Sequence, residues 1–320
     1  MEDLPAYDQL YEIFNPYALN RQREMRTKGT RFVHYSSAEV AVNIIKKKEV
    51  WMRKSTAMND FMEIDHGIKC LSGAYHSEPG EQFRSILDRL HPNFSDQLKA
   101  QFDPLEPNFR YHTYLTCMSE HLESEDEIGR LSMWRAYGGT TGVALVLNSG
   151  PFLRQSNALK AYTSPVAYLS PIEFKQEFQK VVDGMEENEE MLRALDFQTL
   201  MAFVFHAFQY AVLATKHPGF KEEKEWRIIH SPWPESSQHL RRDVEVVRGI
   251  PQPVYKIPLK NIPEEGFTGA TIPELLDRVI IGPTDHSFAA YEAFVSLLNE
   301  AGVENANTKV FTSHIPLRQY

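Results

Sequence analysis

Four clusters along this 320-residue chain bring together side chains able to do chemistry. The densest is the run Glu222-Glu223-Lys224-Glu225-Trp226-Arg227-Ile228-Ile229. Alternate side chains of an extended strand share a face. That spacing puts Glu223, Glu225 and Arg227 on one face and Trp226 with Ile228 on the other. Crowded carboxylates shift each other's protonation, and such pairs recur in active sites. An edge strand with cross-strand ion pairs would use the same residues.

The second cluster is His34-Tyr35-Ser36, at the end of an apolar run. As neighbours in a strand, His34 and Tyr35 point to opposite faces, so one can line a cleft while the other packs inside. An imidazole can donate to a ribose hydroxyl or a carboxamide, and a phenol ring can stack on a base. The third is Asn59-Asp60, with Glu63 and His66 behind it. Asn-Asp is also a natural turn and helix-cap pair. Glu63 and His66 have the spacing of half a carboxylate-bridged metal site, but no second Glu-x-x-His partner exists, and no metal is expected. The fourth is Trp134-x-x-Tyr137-Gly138-Gly139, two aromatics on one helix face ahead of glycines. They read equally as a core anchor with a glycine cap or as a wall for a nucleotide ring.

The elements that must hold these groups follow from the pattern. Arg31 to Tyr35 reads as a strand. Ser37 reads as the N-cap of a helix burying Val40, Ala41, Ile44 and Ile45. Further strands are expected at 50–53, 111–119, 142–147, 161–169, 224–230, 244–247, 254–257, 278–281 and 308–314, with helices at 131–137 and 284–301. Residues 78–108 are polar and helical or loop-like, as a lid or insertion would be. The acidic stretch Glu120 to Glu127 reads as a solvated turn. Many short strands without regular βαβ alternation predict an α+β fold with a split, largely antiparallel sheet. Residues 1–29 form an N-terminal helical extension anchored by Leu10, Ile13 and Phe14. Residues 30–320 then form a single domain with a helical insertion near 171–215, acidic at Glu186 to Glu190.

Composition narrows the class. Hydrophobic residues are 42% and charged residues 24%, as in ordinary globular chains. Two cysteines, Cys70 and Cys117, suggest neither a disulfide framework nor a zinc site, which fits a reducing cytoplasm. A net charge of -9 gives no broad pull toward nucleic acid. The N-terminus lacks the features of a signal peptide, and the apolar stretch from Leu200 to Thr215 is too short for a membrane span. There is no Gly-x-Gly-x-x-Gly after a strand and no Walker loop.

In order, the four clusters resemble a widespread bacterial family of unknown function. Its pattern is His-Tyr-Thr/Ser, Asn-Asp-x-x-Glu, Trp-x-x-Tyr, Glu-x-Glu-Trp/Tyr-Arg, and a final apolar Val/Ile-Ile-x-Gly. Here these read His34-Tyr35-Ser36, Asn59-Asp60-Phe61-Met62-Glu63, Trp134-Arg135-Ala136-Tyr137, Glu223-Lys224-Glu225-Trp226-Arg227 and Val279-Ile280-Ile281-Gly282, spread over about residues 31 to 285. The layout is similar to ADP-ribosyltransferase-like domains, whose split sheet holds NAD between its halves. The resemblance implies that NAD is the substrate and that His34 holds its ribose and carboxamide. It implies that Tyr35 or Tyr137 stacks on nicotinamide and that Glu225 stabilises the oxocarbenium-like sugar. Glu223 would orient or deprotonate the acceptor, and Arg227 would meet the pyrophosphate or hold Glu223. Ser36, Asn59, Asp60 and Trp134 complete the implied NAD site. The acceptor macromolecule is open, and the chain would be a toxin or phage-defence effector with an antitoxin or operon partner. A metal-dependent nuclease built on Glu222-x-Lys224 and a non-catalytic nucleotide-binding module are the alternatives. The nuclease lacks an upstream Asp near its strand.

Overall fold

A computed structural model describes residues 5–57, 63–154, 156–233 and 236–317. The chain forms two compact units. One gathers 1–24, 55–113 and 164–221; the other gathers 25–54, 114–163 and 222–320.

The first unit is helical. It contains the helices Pro5–Phe14, Glu63–Tyr75, Glu78–Leu90, Phe94–Phe102, Glu106–Tyr111, Pro171–Glu187, Glu189–Arg193 and Phe197–Leu213. The stretches 78–108 and 171–215, read above as a lid and an insertion, both lie in it. Leu10, Ile13 and Phe14 are buried. Ser170 and Glu173 close a capping box at the start of Pro171–Glu187, and Asp196 caps Phe197–Leu213 through the Thr199 amide. Gly67 lets Glu63–Tyr75 lie against Phe197–Leu213: a Cβ there would stand 2.2 Å from the carbonyl oxygen of Val212. The acidic run around Glu186 straddles the junction of the helix Pro171–Glu187 and the short helix Glu189–Arg193, on the surface of this unit.

The second unit carries the sheet. The strands in chain order are β1 (Arg31–Ser37), β2 (Glu49–Lys54), β3 (Tyr114–His121), β4 (Gly142–Leu147), β5 (Tyr162–Pro165), β6 (Ala167–Tyr168), β7 (Thr215–Lys216), β8 (Glu225–His230), β9 (Arg241–Val247), β10 (Ile250–Pro258), β11 (Leu276–Ile281) and β12 (Val310–Thr312). β6 and β7 form a small parallel pair in the helical unit. Among the described residues, the other ten make one sheet ordered β12-β11-β4-β1-β3-β2-β10-β9, with β8 paired to β3 and β5. Within that sheet, among the described residues, β11 and β12 run parallel and the other registered pairs run antiparallel. The molecule is therefore mixed α and β, with a largely antiparallel, open sheet.

The sheet forks at β3. One edge of β3 pairs with β8 from Tyr114 to Ser119. The other edge is shared: β1 takes Ser119 to His121, and β2 takes Tyr114 and Leu115. Thr116, Cys117 and Met118 lie between those two registers.

The helix Ala38–Lys47 and the helix Ser287–Glu300 cover one face of the sheet. Ser37 accepts the Val40 amide as the expected N-cap, at 3.4 Å. Ala41, Ile44 and Ile45 are buried with Val143, Leu145, Val279 and Ile281. Val40 is exposed instead, because the buried stripe is centred on 41, 44 and 45. The helix Leu131–Tyr137 sits on the opposite face, where Met133 and Trp134 pack on Val33, Tyr35, Ala144, Val146 and Ile280. Among the described residues, no helix is long and apolar enough to cross a membrane.

Candidate functional site

Strand alternation and register divide the predicted site between the two faces of one sheet. Val33 pairs with Ser119, Ser119 with Glu225, and Cys117 with Arg227. Cross-strand partners share a face. Tyr35, Glu225 and Arg227 therefore lie on the side of Trp134. Phe32, His34, Met118, Trp226 and Ile228 lie on the other. His34 and Glu225 do not meet on one face.

The polar face is built around β8. Glu225 and Arg227, two residues apart, form a buried ion pair with Nε to Oε1 at 2.9 Å. Arg227 is 1% exposed and Glu225 7%. Neither charge would stay buried without such a partner. Glu223 departs from the strand pattern. The chain forms a tight helical turn over Pro218–Glu223, and Lys224 has φ 45°, so β8 starts only at Glu225. A left-handed lysine is uncommon, and such strain concentrates at functional sites. Glu223 still reaches this face: the Tyr137 hydroxyl donates to its Oε1 at 3.4 Å.

Arg130 fixes that turn, and sequence reasoning missed it. Its Nε and Nη2 grip both oxygens of Glu125 at 2.8 and 3.0 Å. Nη2 also donates to the Glu120 carbonyl, at 2.7 Å, and Nη1 donates to the carbonyls of Glu222 and Glu223, at 2.9 and 3.2 Å. One guanidinium thus ties the segment before the helix Leu131–Tyr137 to the segment before β8. Such a fork of fixed donors suits this task better than a lysine would.

The acidic stretch 120–127 is only in part the solvated turn expected of it: Glu123, Ser124 and Glu127 are exposed, but its other acidic groups are engaged. Glu120 is buried and accepts the Trp226 indole N–H at 2.9 Å. Asp126 pairs with Arg31 at 2.6 Å and with Arg278 at 3.1 Å. The His121 ring lies 2.8 Å from Asp126 through Nε2, and its Nδ1 is buried without a hydrogen-bond partner. Burial holds the His121 imidazole below its ordinary pKa, with Asp126 opposing. Arg31 and Arg278 come from two distant parts of the sequence, so no local pattern announced them. The usable signal was Arg130 alone, directly after an acidic run and directly before the Trp-x-x-Tyr helix.

Tyr35 and Trp134 pack on each other rather than facing solvent. Their ring centroids are 4.9 Å apart, edge to face. Trp134 donates to the Ile128 carbonyl at 2.9 Å, and the Tyr35 oxygen accepts the Arg130 amide at 2.9 Å. Burial, aided by Glu125, pushes the Tyr35 hydroxyl well above its ordinary pKa. Gly282 explains the final Ile-Ile-x-Gly motif: a Cβ there would stand 2.9 Å from the Trp134 ring and 3.1 Å from the Gly142 carbonyl oxygen. Of the predicted aromatics on this face, Tyr137 is the half-buried one, beside Glu223.

The other face is apolar. His34 lines a cavity of about 50 Å³ with Ile44, Met118, Leu145, Ile228 and Ile257. Its Nδ1 lies 3.0 Å from the Cys117 carbonyl oxygen, to which it donates across the fork. Desolvation holds the His34 imidazole below its ordinary pKa, and this hydrogen bond opposes the shift. Ser36 is buried, with its hydroxyl turned to the Ser37 carbonyl at 3.3 Å. Asn59 and Asp60 lie outside the described residues. In the helical unit, His66 Nε2 lies 2.9 Å from the Leu169 carbonyl oxygen. Among the described residues, no three His, Cys, Asp or Glu side chains converge to hold a metal.

A family model described as "Protein of unknown function (DUF2971)" matches residues 133–228. The chain is similar to that family over the stretch holding Trp134, Tyr137, Glu223, Glu225 and Arg227. No curated protein and no solved structure matches the chain.

Proposed function

We propose that the second unit acts on NAD as an ADP-ribosyltransferase-like domain, with Glu225 as its catalytic carboxylate. The observation that carries this reading is the fork at β3 with the Glu225–Arg227 pair on the strand beside it. The motif order that resembles this group implies a split sheet, and a strand-borne glutamate, here one strand across β3 from the split, is the group the chemistry needs. Loss of nicotinamide breaks the bond between ribose C1′ and the ring nitrogen, and the electron pair leaves with nicotinamide. Positive charge grows on the sugar, and a fixed carboxylate there favours the transition state over the ground state. The acceptor then bonds to C1′ and gives up its proton. Glu223, which accepts the Tyr137 hydroxyl at 3.4 Å, would take that proton. Arg227 holds Glu225 in its orientation.

Of the two rings the resemblance implied for nicotinamide, Tyr137 is kept, since Tyr35 is packed under Trp134. Arg227 moves from the pyrophosphate or Glu223 to Glu225. His34 becomes a positioning residue that ties β1 to Cys117, because its side chain lies on the opposite face from Glu225.

The test is nicotinamide release and transfer of label from NAD to bacterial lysate, with and without EDTA. The expected result is release that survives EDTA and falls about 100-fold or more in Glu225→Gln, the loss typical of removing one transition-state contact. NAD binding without any release would establish a binding module instead. EDTA-sensitive cutting of DNA or RNA without release would establish the nuclease.

A further inference from the structure

The helical unit carries a cavity of its own, of about 120 Å³. The sequence explains why it is there. In the helix Phe197–Leu213, Ala207 and Ala211 stand one turn apart, and Ala214 follows at the helix end. Residues at this spacing share a face. Their methyl groups line one wall, and the rings of Phe83, Phe174 and Phe208 are among those lining the rest. The rings are buried at 1%, 6% and 7% exposure. Larger side chains at 207 and 211 would fill the space. A well-packed interior leaves few voids above the size of a water molecule, and each costs stability.

We propose that this cavity is a binding site for a small, uncharged apolar molecule, a single ring or a chain of similar bulk. The size sets the class, because an enclosed apolar cavity of about 150 Å³ takes up benzene, and this pocket, open at its mouth, has about 120 Å³. The lining sets the chemistry, because hydrophobic walls reward transfer of apolar surface from water. The lining excludes anions, because a carboxylate moved between these apolar walls would lose its water and meet no cation among the described lining residues. At the rim, Glu177 is half-exposed and paired with Lys180, Oε1 to Nζ at 2.6 Å. Asn15 and Tyr17 complete a polar mouth, and the Tyr17 hydroxyl is turned to the Val166 carbonyl at 3.3 Å. This site lies in a different unit from Glu225 and does not depend on the reading of that strand.

The test uses the full chain, titrated with benzene, toluene and benzoate. Binding is read by thermal unfolding and by shifts of the cavity-lining methyl and ring signals in NMR. The expected result is a saturable rise in Tm with benzene or toluene, since a ligand that binds only the folded state stabilises it. Benzoate should bind at least tenfold more weakly. Ala211→Phe should weaken toluene binding at least tenfold. If that variant does not fold, Ala207→Leu fills the same wall with a smaller side chain and should do the same. No saturable response to benzene or toluene, or an equal response in a folded filled variant, would overturn the proposal. Benzoate binding as tightly as toluene would overturn its charge rule.

Discussion

His34 and Tyr35 are chain neighbours, as are Arg227 and Ile228, and each pair is divided between two unlike environments. On the Tyr35 and Arg227 side, beside the packing of Met133 and Trp134 on the sheet, polar groups are held in place: a buried ion pair, a tyrosine oxygen on a backbone amide, and an arginine donating to Glu125 and to three carbonyls. On the His34 and Ile228 side, the sheet meets aliphatic helices around a small void, and the imidazole is the one titratable wall. The difference shows where this sheet keeps its chemistry. A carboxylate and a guanidinium in a fixed, dry setting can act on a charged transition state, whereas an imidazole in an apolar void with a satisfied Nδ1 is set up to hold backbone.

Adjacent substitutions on β8 should break that contrast most sharply. Arg227→Met strands the buried Glu225 carboxylate and should lower stability by about 3–5 kcal/mol. Urea unfolding of the folded variant gives the value; a loss below about 1 kcal/mol would mean that the pair is not buried in solution. On the same polar side, Gly282→Ala should cost about 1–3 kcal/mol by forcing a methyl into the Trp134 ring. Trp134→Phe in that background should recover part of the loss, and a double-mutant cycle with no coupling would separate the two motifs. On the apolar side, Ile228→Val removes one methylene beside an existing void and should cost only about 0.5–1.5 kcal/mol. A cost matching that of Arg227→Met would erase the distinction between the faces.

The smallest expected effect is a pH slope. Desolvation depresses the His34 imidazole, so the folded chain resists a proton that the unfolded chain accepts below about pH 6.5. The unfolded state then binds more protons, and stability rises with pH between the depressed folded value and about pH 6.5. His121 and His230 are depressed by burial too and act in the same sense. Replacing His34 by Gln should make the acid limb of stability shallower without flattening it. Chemical unfolding from pH 5 to 7.5 measures this, and an unchanged limb would mean that His34 is solvated.

Much of the scaffold was legible in the residues. The Ser37 cap, the core stripe of Ala41, Ile44 and Ile45, and the strands at 31, 142 and 278 follow from local propensity and period. The facing of Glu225 against Trp226 also followed from strand alternation alone. Glu223 did not: its expected place on that face assumed that the strand ran through Lys224, whereas the backbone turns left-handed there. No side-chain pattern encodes that turn, because it is held by Arg130 from the other end of the site. Likewise, an acidic run reads as a solvated loop until Arg31, Arg130 and Arg278 are brought to it.

What the sequence by itself determined is therefore the inventory and the alternation. It set that Glu225 and Arg227 share a face, and that His34 and Tyr35 cannot. Tertiary structure decided which face was which. Only the register of β1, β3 and β8 joined Glu225 to Tyr35 and set His34 against the helix Ala38–Lys47, since strand pairing links residues too far apart in sequence for any local period to relate them.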